Sequence, residues 1–437
     1  MQLPKVLILN QPFVTNTGGG ITMSNLFSGW DKDKLAVTCL GHILTKEIDP
    51  EICNNYYQLG HEERKWIFPF NLFSRKYESG IIKFNTNTKD KVIAEDTKSK
   101  SRISFLNNYM NPFLNYLGIS HMINKIVLSE KFKKWLDDYN PDVVYAQCSS
   151  RESILFCIAI KKYLNKPYIF HMMDDWPSLI GIKGFMSNYW KKKIDLEFKT
   201  LLDITDIHLG ISDYMSEAYK KRYGKDFVTY HNPINLDFWQ KGQKQNYNLS
   251  KKPTILYAGR IGLGIDSSLK SIAKAIEIVN NDLNLSIEFQ IQSQTPPPWI
   301  SNYKHVIHKL FVPYNKLPNE FGNTDFLILP YDFSPKSLAY IKYSMPTKAS
   351  EYMASGAPIL IYAPLETALV QYAEKSSWAS IVTEQNITQL AKEIKKLVLD
   401  KTYRKKLSET AKNLAMERHD TKIVARRFQK TIIEAAE

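Results

Sequence analysis

Long hydrophobic runs are missing from this 437-residue sequence, and no window approaches about 18 consecutive apolar residues. A transmembrane helix needs about 20 such residues, so we predict none. The opening stretch MQLPKVLILNQPF contains one lysine and only a short apolar run. That run is shorter than the core of a signal peptide, and it favours a first buried strand.

Cysteine is also scarce. The four cysteines, Cys39, Cys53, Cys148 and Cys157, show no CxxC spacing. Sparse cysteines in apolar surroundings indicate buried free thiols in a reducing compartment, so we expect a cytoplasmic protein. We find no set of histidines and acidic residues with the spacing that is typical of metal ligands. We therefore predict no metal ion and no cofactor.

Basic residues outnumber acidic ones, with 58 Lys and Arg against 44 Asp and Glu, which gives a formal net charge of +14. This surplus favours anionic partners, namely nucleotides, nucleic acid or an anionic membrane face, unless it reflects only a lysine-rich proteome. Nucleic-acid binding would rest on charge alone, so we predict no nucleic-acid partner.

Two halves of the chain share an alternation of apolar strands and helical segments, and the length also favours two domains. A polar stretch at 231–252 is the predicted linker. This alternation predicts mostly parallel sheets covered by helices on both faces. The strands are predicted at KVLILNQPF, PDVVYAQ, KPYIFHM and DIHLGIS before the linker, and at PTILYAGR, DFLILPY and APILIYAP after it. Asp266 or Ser267 is a plausible N-cap of the helix that follows PTILYAGR.

Residues 104–139 interrupt the alternation. They are rich in aromatics and lysines and predicted to be helical. They form either an amphipathic helix pair packed on the sheet or a face that meets a membrane or acceptor. In the second case, three lysines and three aromatics would contact anionic lipid: Lys131, Lys133, Lys134, Phe105, Phe113 and Tyr116.

Ligands of doubly wound sheets bind beyond the carboxyl ends of the strands, so the loops there are the candidate sites. TNTGGGITMSN follows the first strand, and Gly18, Gly19 and Gly20 would let the backbone approach an anion at a helix N-terminus. The alternative is a flexible turn, because the stretch is not GxGxxG and no Walker lysine follows.

A polar cluster follows another strand of the first half, in FHMMDDWPS. His171, Asp174 and Asp175 lie at this strand exit. Carboxylates in this position orient a sugar hydroxyl or coordinate a metal. Helix capping before Pro177 is the alternative for the two aspartates.

In the second half, YAGRIGLGID places Arg260 at a strand exit, followed by Gly262 and Gly264. A guanidinium beside glycines suits a diphosphate, because its fork matches phosphate oxygens. The alternative is a surface arginine in a turn.

The stretch MPTKASEYMASGAPILIYAP predicts a helix that starts near Pro346 and ends at Gly356. Lys348 and Glu351 are three residues apart and share a face. A surface ion pair would contribute little stability. An anion at the helix N-terminus explains the lysine better, and the carboxylate suits the vicinal hydroxyls of a ribose.

The segment PTKASEYMASGAPIL resembles the donor-binding segment of retaining glycosyltransferases with the GT-B fold, the GT4-like or group 1 family. GGGITMSNL, HNPIN and ILYAGRIG resemble three further segments of that family in the right order. The resemblance implies an α/β protein with two Rossmann-like doubly wound domains facing across a cleft. Residues 1–237 would form the acceptor domain, together with a crossing helix at 421–437, and residues 238–420 the sugar-nucleotide domain.

The resemblance also implies roles for single residues. Arg260 and Lys348 would contact the diphosphate, and Glu351 the ribose. Gly19 and Gly20 would approach the diphosphate from the N-terminal domain. The catalytic group near the reacting sugar would comprise His171, Asp174 and Asp175.

Two positions depart from the family pattern. Tyr343 stands where the family often has a glutamate that holds the sugar, and we include it in the predicted donor site. Ile265 stands where the family often has a lysine. The two departures leave a different class of function open, a non-catalytic GT-B partner protein that binds glycan or stabilises a transferase.

The resemblance predicts a hexosyltransferase-like enzyme that moves a sugar from a nucleoside-diphosphate sugar to a saccharide or lipid-linked acceptor, with retention, in surface glycan synthesis. The predicted location is cytoplasmic, with contact to the inner face of an anionic membrane left open. A sugar-nucleotide epimerase is a further alternative.

Overall fold

The computed structural model describes residues 3–14, 17–41, 43–44, 48–72, 76–84, 106–179 and 184–437. The chain divides into two compact units. The first comprises Met1–Gly210, Ser216–Thr229 and Ala425–Glu437. The second comprises Ile211–Met215 and Tyr230–Val424, so the predicted linker at 231–252 is part of the second unit.

A mostly parallel sheet forms the centre of the first unit. Among the described residues its order is β10-β9-β8-β7-β1-β2-β3-β5, and only β5 runs antiparallel to its neighbour. The strands are β1 Val6–Leu9, β2 Leu35–Leu40, β3 Tyr56–Leu59, β5 Gly80–Ile82, β7 Val143–Ala146, β8 Tyr168–Met172, β9 Ile207–Gly210 and β10 Phe227–Thr229. Separately, β4 Arg64–Trp66 pairs antiparallel with β6 Asn124–Ile126.

Helices follow most of these strands. They are α1 Gly18–Leu26, α2 Asn111–Leu117, α3 Glu130–Tyr139, α4 Arg151–Leu164, α5 Ser187–Asp203, α6 Asp213–Tyr223 and the C-terminal α15 Thr421–Ala436. Short 3-10 turns lie at Lys32–Lys34, Phe70–Leu72, Ile119–His121 and Trp176–Leu179, and a π turn at Leu106–Met110. Side-chain caps fix two starts: Ser129 accepts from the amide of Phe132, and Ser150 from that of Ser153.

The continuous helical reading of residues 104–139 is wrong in its middle part. Gly118 adopts a left-handed φ of 74° and ends α2, and β6 follows within a few residues. This strand forms because β4, far away in sequence, supplies its hydrogen-bonding partner. The predicted contact residue Phe105 lies outside the described residues.

The second unit contains a fully parallel sheet of order β13-β12-β11-β14-β15-β16. Its strands are β11 Thr254–Ala258, β12 Glu288–Gln292, β13 Val306–Lys309, β14 Phe326–Pro330, β15 Ile359–Tyr362 and β16 Ser380–Val382. Its helices are α7 Leu236–Gln240, α8 Asp266–Leu283, α9 Leu317–Asn323, α10 Pro335–Ile341, α11 Thr347–Ser355, α12 Ala368–Ser376, α13 Ile387–Leu399 and α14 Lys401–Arg418, with 3-10 turns at Ile300–Asn302 and Tyr314–Lys316.

The cap predicted for α8 is wrong. Asp266 is its first residue, and Ile265 occupies the cap position without a side-chain bond. Instead, the carboxylate of Asp332, which follows β14, accepts a 2.8 Å hydrogen bond from the amide of Ser268. A carboxylate from a neighbouring strand therefore replaces the local cap that the sequence pattern favoured.

Strand order reverses once in each sheet. In the first unit β1 lies between β2 and β7, and in the second β11 lies between β12 and β14. Such switch points open a crevice at the carboxyl ends of the strands. The loops after β1 and β11, which carry the predicted glycines and Arg260, therefore lie where this topology accepts ligands.

The C-terminal helix belongs largely to the first unit. The ring of Phe428 packs edge-on against Phe27, with 5.1 Å between ring centroids, and against Tyr145. Ile432 is fully buried as well. In the part of the chain that the structure describes, no helix combines the length and apolarity that a membrane span requires.

Candidate functional site

The helix α11 carries the predicted donor residues. Pro346 precedes its first residue, and Gly356 ends it with a φ of 72°. Both boundaries agree with the sequence pattern to within one residue. Lys348 lies in the first turn, one turn before Glu351, and both side chains are only partly exposed.

The amine of Lys348 points back to the carboxyl end of β11. It donates a 2.7 Å hydrogen bond to the carbonyl of Ala258 and lies 4.5 Å from the ring centroid of Tyr257. Burial lowers the pKa of Lys348 to about 8. Gly259 makes this approach feasible, because a Cβ there would lie 2.0 Å from the lysine nitrogen.

Glu351 has unused acceptor capacity. No hydrogen bond or ion pair within 4 Å involves its carboxylate among the described residues, so the surface ion pair with Lys348 is not formed. Burial raises the pKa of Glu351 to about 7, although the nearby Lys348 opposes the shift. A partly buried carboxylate without partners is a strong acceptor for a donor brought by a ligand.

Arg260 lies in the same cluster, because its charge contributes to the lowered pKa of Lys348. Its side chain is exposed, and its Nη2 donates a 2.8 Å hydrogen bond to the hydroxyl of Tyr340. Its carbonyl accepts from the hydroxyl of Tyr257. The structure thus brings Arg260, Lys348 and Glu351 together at one end of the second sheet.

Tyr343 lies between α10 and α11, half-buried. Its ring centroid is 5.5 Å from that of Tyr214, and the amine of Lys342 lies 5.5 Å from the same ring. The position that carries a glutamate in the resembled family therefore presents an aromatic face here.

In the first unit, the glycine stretch forms the first turn of α1. Thr17 caps the helix by accepting from the amide of Gly20. A Cβ on Gly20 would lie 2.1 Å from the Val14 side chain, so this glycine is required by packing. A Cβ on Gly19 would meet only the Gln11 side chain at 3.5 Å, which leaves room beside this backbone.

His171 is fully buried near the end of β8. Its Nδ1 lies 2.7 Å from the hydroxyl of Tyr145, which also accepts a hydrogen bond from the amide of Gln147. When this hydroxyl donates its own proton to Nδ1, the imidazole proton lies on Nε2. Nε2 has no hydrogen-bond partner among the described residues.

Burial also lowers the pKa of His171 to about 3, so the ring is neutral around pH 7. The amide of Gln147 contacts the sulfur of Met23 on α1 at 3.2 Å. This chain of contacts links the glycine-rich helix to His171 within the first unit.

The two aspartates after β8 differ sharply. Asp174 is exposed, whereas Asp175 is buried and accepts a hydrogen bond from the hydroxyl of Tyr219. Arg222 lies 3.7 Å from the same carboxylate oxygen. Asp175 therefore fixes the turn onto α6, while Asp174 remains accessible to a ligand.

Sequence patterns missed several residues that shape these clusters. Tyr257, Tyr340 and Tyr145 each orient a predicted site residue through a hydroxyl. Of the residues that the patterns missed, Gly259 could have been found from the sequence, because it adjoins Arg260 in the glycine-rich loop YAGRIGLGID. No group of three or more His, Cys, Asp and Glu within the described ranges is placed to hold a metal. The expectation of a metal-independent site stays a prediction.

Comparisons with known proteins bear on the family and the fold. Residues 240–414 match the family described as glycosyl transferases group 1. A search of curated proteins finds no match. Among solved structures, a sucrose-phosphate synthase from Thermosynechococcus elongatus superposes with a TM-score of 0.60 at 12% identity, and 98% of each chain is covered.

Two other neighbours are a glycosyltransferase from Rickettsia africae, with a TM-score of 0.58 at 13% identity, and Anabaena HepE in complex with UDP and glucose, with 0.59 at 11%. Each comparison covers 99% of this chain, with 99% of the first neighbour and 100% of the second. The predicted GT-B fold is thus confirmed, and residues 240–414 match the predicted glycosyl transferases group 1 family.

Proposed function

We propose that this protein transfers a sugar from a nucleoside-diphosphate sugar to a saccharide or lipid-linked acceptor, with retention at the anomeric carbon. It would be a GT4-type, hexosyltransferase-like enzyme in surface glycan synthesis, located in the cytoplasm and in peripheral contact with the membrane. The group 1 domain and the GT-B neighbours support glycosyl transfer as the reaction class.

One observation carries the proposal. Lys348 and Glu351 share the buried start of α11, where both pKa values shift towards neutrality, yet they do not pair with each other. A cation and a carboxylate that stay apart in a partly desolvated place are poised for a ligand carrying both an anion and hydroxyl donors. A diphosphate joined to a ribose has this chemistry, and HepE is a structural neighbour that binds UDP and UDP-glucose.

The proposed chemistry needs stabilisation of the diphosphate as negative charge develops on it. Lys348 and Arg260 supply two cations, and the N-terminal amides of α11 supply partial positive charge. We assign no metal to this step. The leaving phosphate takes the acceptor proton on the face that it vacates, which retains the configuration.

In the first unit, we propose that His171 and Asp174 act near the reacting sugar. The neutral ring of His171 presents the Nε2 proton as a donor for a sugar hydroxyl. Gly19 leaves space for the approach of a diphosphate to the start of α1. Asp175 supports this group by holding the turn after β8.

A thermal-shift screen with nucleoside diphosphates and their sugars tests the donor proposal. UDP and UDP-glucose are the first probes, and binding should raise the melting temperature by mass action. Incubation with the stabilising sugar nucleotide should also release nucleoside diphosphate slowly. NMR of the transferred anomeric centre then tests retention. A melting temperature that no member of the panel changes would reject the donor site.

Tyr343 supports a second candidate, a non-catalytic GT-B partner protein that binds glycan. Its aromatic ring, tilted by 34° against that of Tyr214, offers a platform for a sugar instead of a carboxylate for the sugar's hydroxyls. Such a protein would release no nucleoside diphosphate from any sugar nucleotide, and glycan alone would stabilise it.

A further inference from the structure

Several large apolar side chains are exposed among the described residues of the first unit. Phe68 and Phe185 are 78% and 83% exposed, which is rare for phenylalanine. Other large side chains of the same segments are exposed as well, and six residues in all define the surface that we call the apolar face. The apolar face consists of Phe68, Phe113, Tyr116, Met122, Phe185 and Tyr189.

Backbone contacts join these residues into one surface. The amide of Phe185 donates a 2.7 Å hydrogen bond to the carbonyl of Tyr116. The amide of Ile67, next to Phe68, donates to the carbonyl of Ile123, next to Met122, at 2.9 Å. Residues near 68, 116–122 and 185–189 are therefore neighbours, although they lie far apart in sequence.

The segments that build the apolar face carry basic charge, and two acids beside them, Glu152 and Glu197, pair with Arg64 and Lys193. The three segments that build it, 64–72, 106–128 and 184–194, contain no Asp or Glu. Lys65 and Lys125 face each other directly across the β4–β6 pair, and both are exposed. Like charges in this position repel each other, so an anionic surface would stabilise this pair of lysines.

A third lysine belongs to the same surface. Lys192 follows Tyr189 by three residues on α5, so both lie on one face of that helix. Lys65, Lys125 and Lys192 have no ion-pair partner within the described ranges. Lys65 also donates a 3.3 Å hydrogen bond to the carbonyl of His61. Aromatic side chains flanked by these exposed lysines match the chemistry of a bilayer with anionic headgroups.

The lysines of α3 are less suited to this task. Lys131 donates to the carbonyl of Ser79, and Lys133 pairs with Glu130 at 2.7 Å. The aromatic face of α3, with Phe132 and Trp135, is buried in the core. The apolar face is therefore better suited to contact lipid than residues 131–134, where the sequence pattern predicted this contact.

The apolar face also lies at the ligand-binding edge of the sheet. Arg151 begins α4, just beyond the carboxyl end of β7, and its Nη1 donates to the carbonyl of His121 at 2.8 Å. Its guanidinium lies 5.1 Å from the ring of Trp190. The surface thus adjoins the end of the sheet where an acceptor would bind.

We propose that the apolar face docks the first unit on an anionic lipid bilayer. The link to a lipid-linked acceptor rests on the proposed function, but the docking itself does not. Aromatics would enter the headgroup region while the three lysines contact anionic lipid. Each such lysine contributes about 1 kcal/mol, which is about fivefold in partitioning.

Vesicle co-sedimentation of the full chain tests the docking. Vesicles of phosphatidylglycerol and phosphatidylcholine in equal parts are compared with phosphatidylcholine alone. We expect binding only to the anionic vesicles, with strong weakening by added salt. The double variant K65Q/K125Q should reduce binding about 25-fold. The control K251Q/K252Q changes two exposed lysines of the second unit and should bind normally.

A second variant, F68S/F185S, tests the aromatic contribution and should also lose vesicle binding. UDP-induced thermal stabilisation, measured on every variant, separates docking from donor binding and reports correct folding. A wild type that stays in the supernatant at low salt while binding UDP overturns the docking and leaves the donor site intact. Self-association that K65Q/K125Q or F68S/F185S abolishes, without lipid binding, would assign the face to a protein partner and equally overturn the proposal.

Discussion

The hydroxyl of Tyr145 lies 2.7 Å from Nδ1 of His171 and accepts a hydrogen bond from the side-chain amide of Gln147. Both residues are fully buried in adjacent parallel strands. We infer that the tyrosine, which carries no sequence signal of its own, donates to Nδ1 and places the imidazole proton on Nε2. This pairing makes His171 a hydrogen-bond donor to whatever occupies the end of β8.

Tyr145→Phe should therefore lower kcat by about tenfold, or about 1.4 kcal/mol of barrier, with donor affinity unchanged. Without the hydroxyl, the proton is free to move to Nδ1, and Nε2 no longer donates reliably. Tyr139→Phe is the matched control, because that buried hydroxyl bonds only the carbonyl of Val6. Equal turnover in the two variants would assign Tyr145 a purely structural role.

Lys348→Ala should weaken nucleoside-diphosphate binding by roughly 10- to 100-fold, because hydrogen bonds to charged groups contribute about 1.5–3 kcal/mol. The fold should remain intact, since among the described residues the variant loses one hydrogen bond, to Ala258, and one contact with the ring of Tyr257. Isothermal titration with UDP measures the effect. Lys395→Ala, which removes a partly exposed lysine paired with Asp282 in the same unit, is the control and should bind UDP normally. Unchanged affinity in Lys348→Ala would reject the diphosphate assignment.

Glu351→Gln tests the ribose contact. If the carboxylate accepts from the ribose, the variant should lose both donor affinity and turnover, and it should no longer discriminate UDP from its 2′-deoxy analogue. Charge-assisted acceptors are about twice as strong as neutral ones, so a loss of about tenfold is expected. Wild-type affinities for both nucleotides in the variant would show that Glu351 only packs in α11.

The sequence predicted α11 well because its signals are local. Pro346, Gly356 and the spacing of Lys348 and Glu351 all act within one or two helical turns. The pairing of Tyr145 with His171 could not be predicted, because it depends on which strands become neighbours and in which register. The cap of α8 by Asp332 could not be predicted for the same reason, since 64 residues separate the donor from the acceptor.

The difference between the predicted and the observed structure of residues 104–139 also has a physical basis. A pattern of aromatics and lysines predicts an amphipathic helix, but it does not show which face the sheet covers. In α3 the aromatics are buried, whereas in the segment around α2 they remain exposed. Burial by distant elements therefore decides which of two similar patterns is a surface.

The pH dependence of kcat/KM should be bell-shaped in the free protein. Lys348 is charged below a pKa of about 8, and Glu351 is ionised above a pKa of about 7. Both are charged together only in a narrow range between these values, so activity should fall on either side, and the two limbs belong to the coupled pair. Glu351→Gln should remove the acidic limb and keep the basic one. An acidic limb that persists in this variant would assign it to another group.

The adjacent aspartates after β8 should separate chemistry from stability. Asp174 is exposed, so Asp174→Asn should leave the free energy of unfolding nearly unchanged while lowering kcat by at least about tenfold. Asp175 is buried and holds Tyr219 and Arg222, so Asp175→Asn should destabilise the protein by about 1–3 kcal/mol. Urea unfolding and steady-state kinetics on both variants, with His171→Ala as the catalytic reference, measure the two effects. If Asp174→Asn and His171→Ala both transfer sugar at the wild-type rate, the reacting centre lies away from the end of β8, whatever the stability of the Asp175 variant.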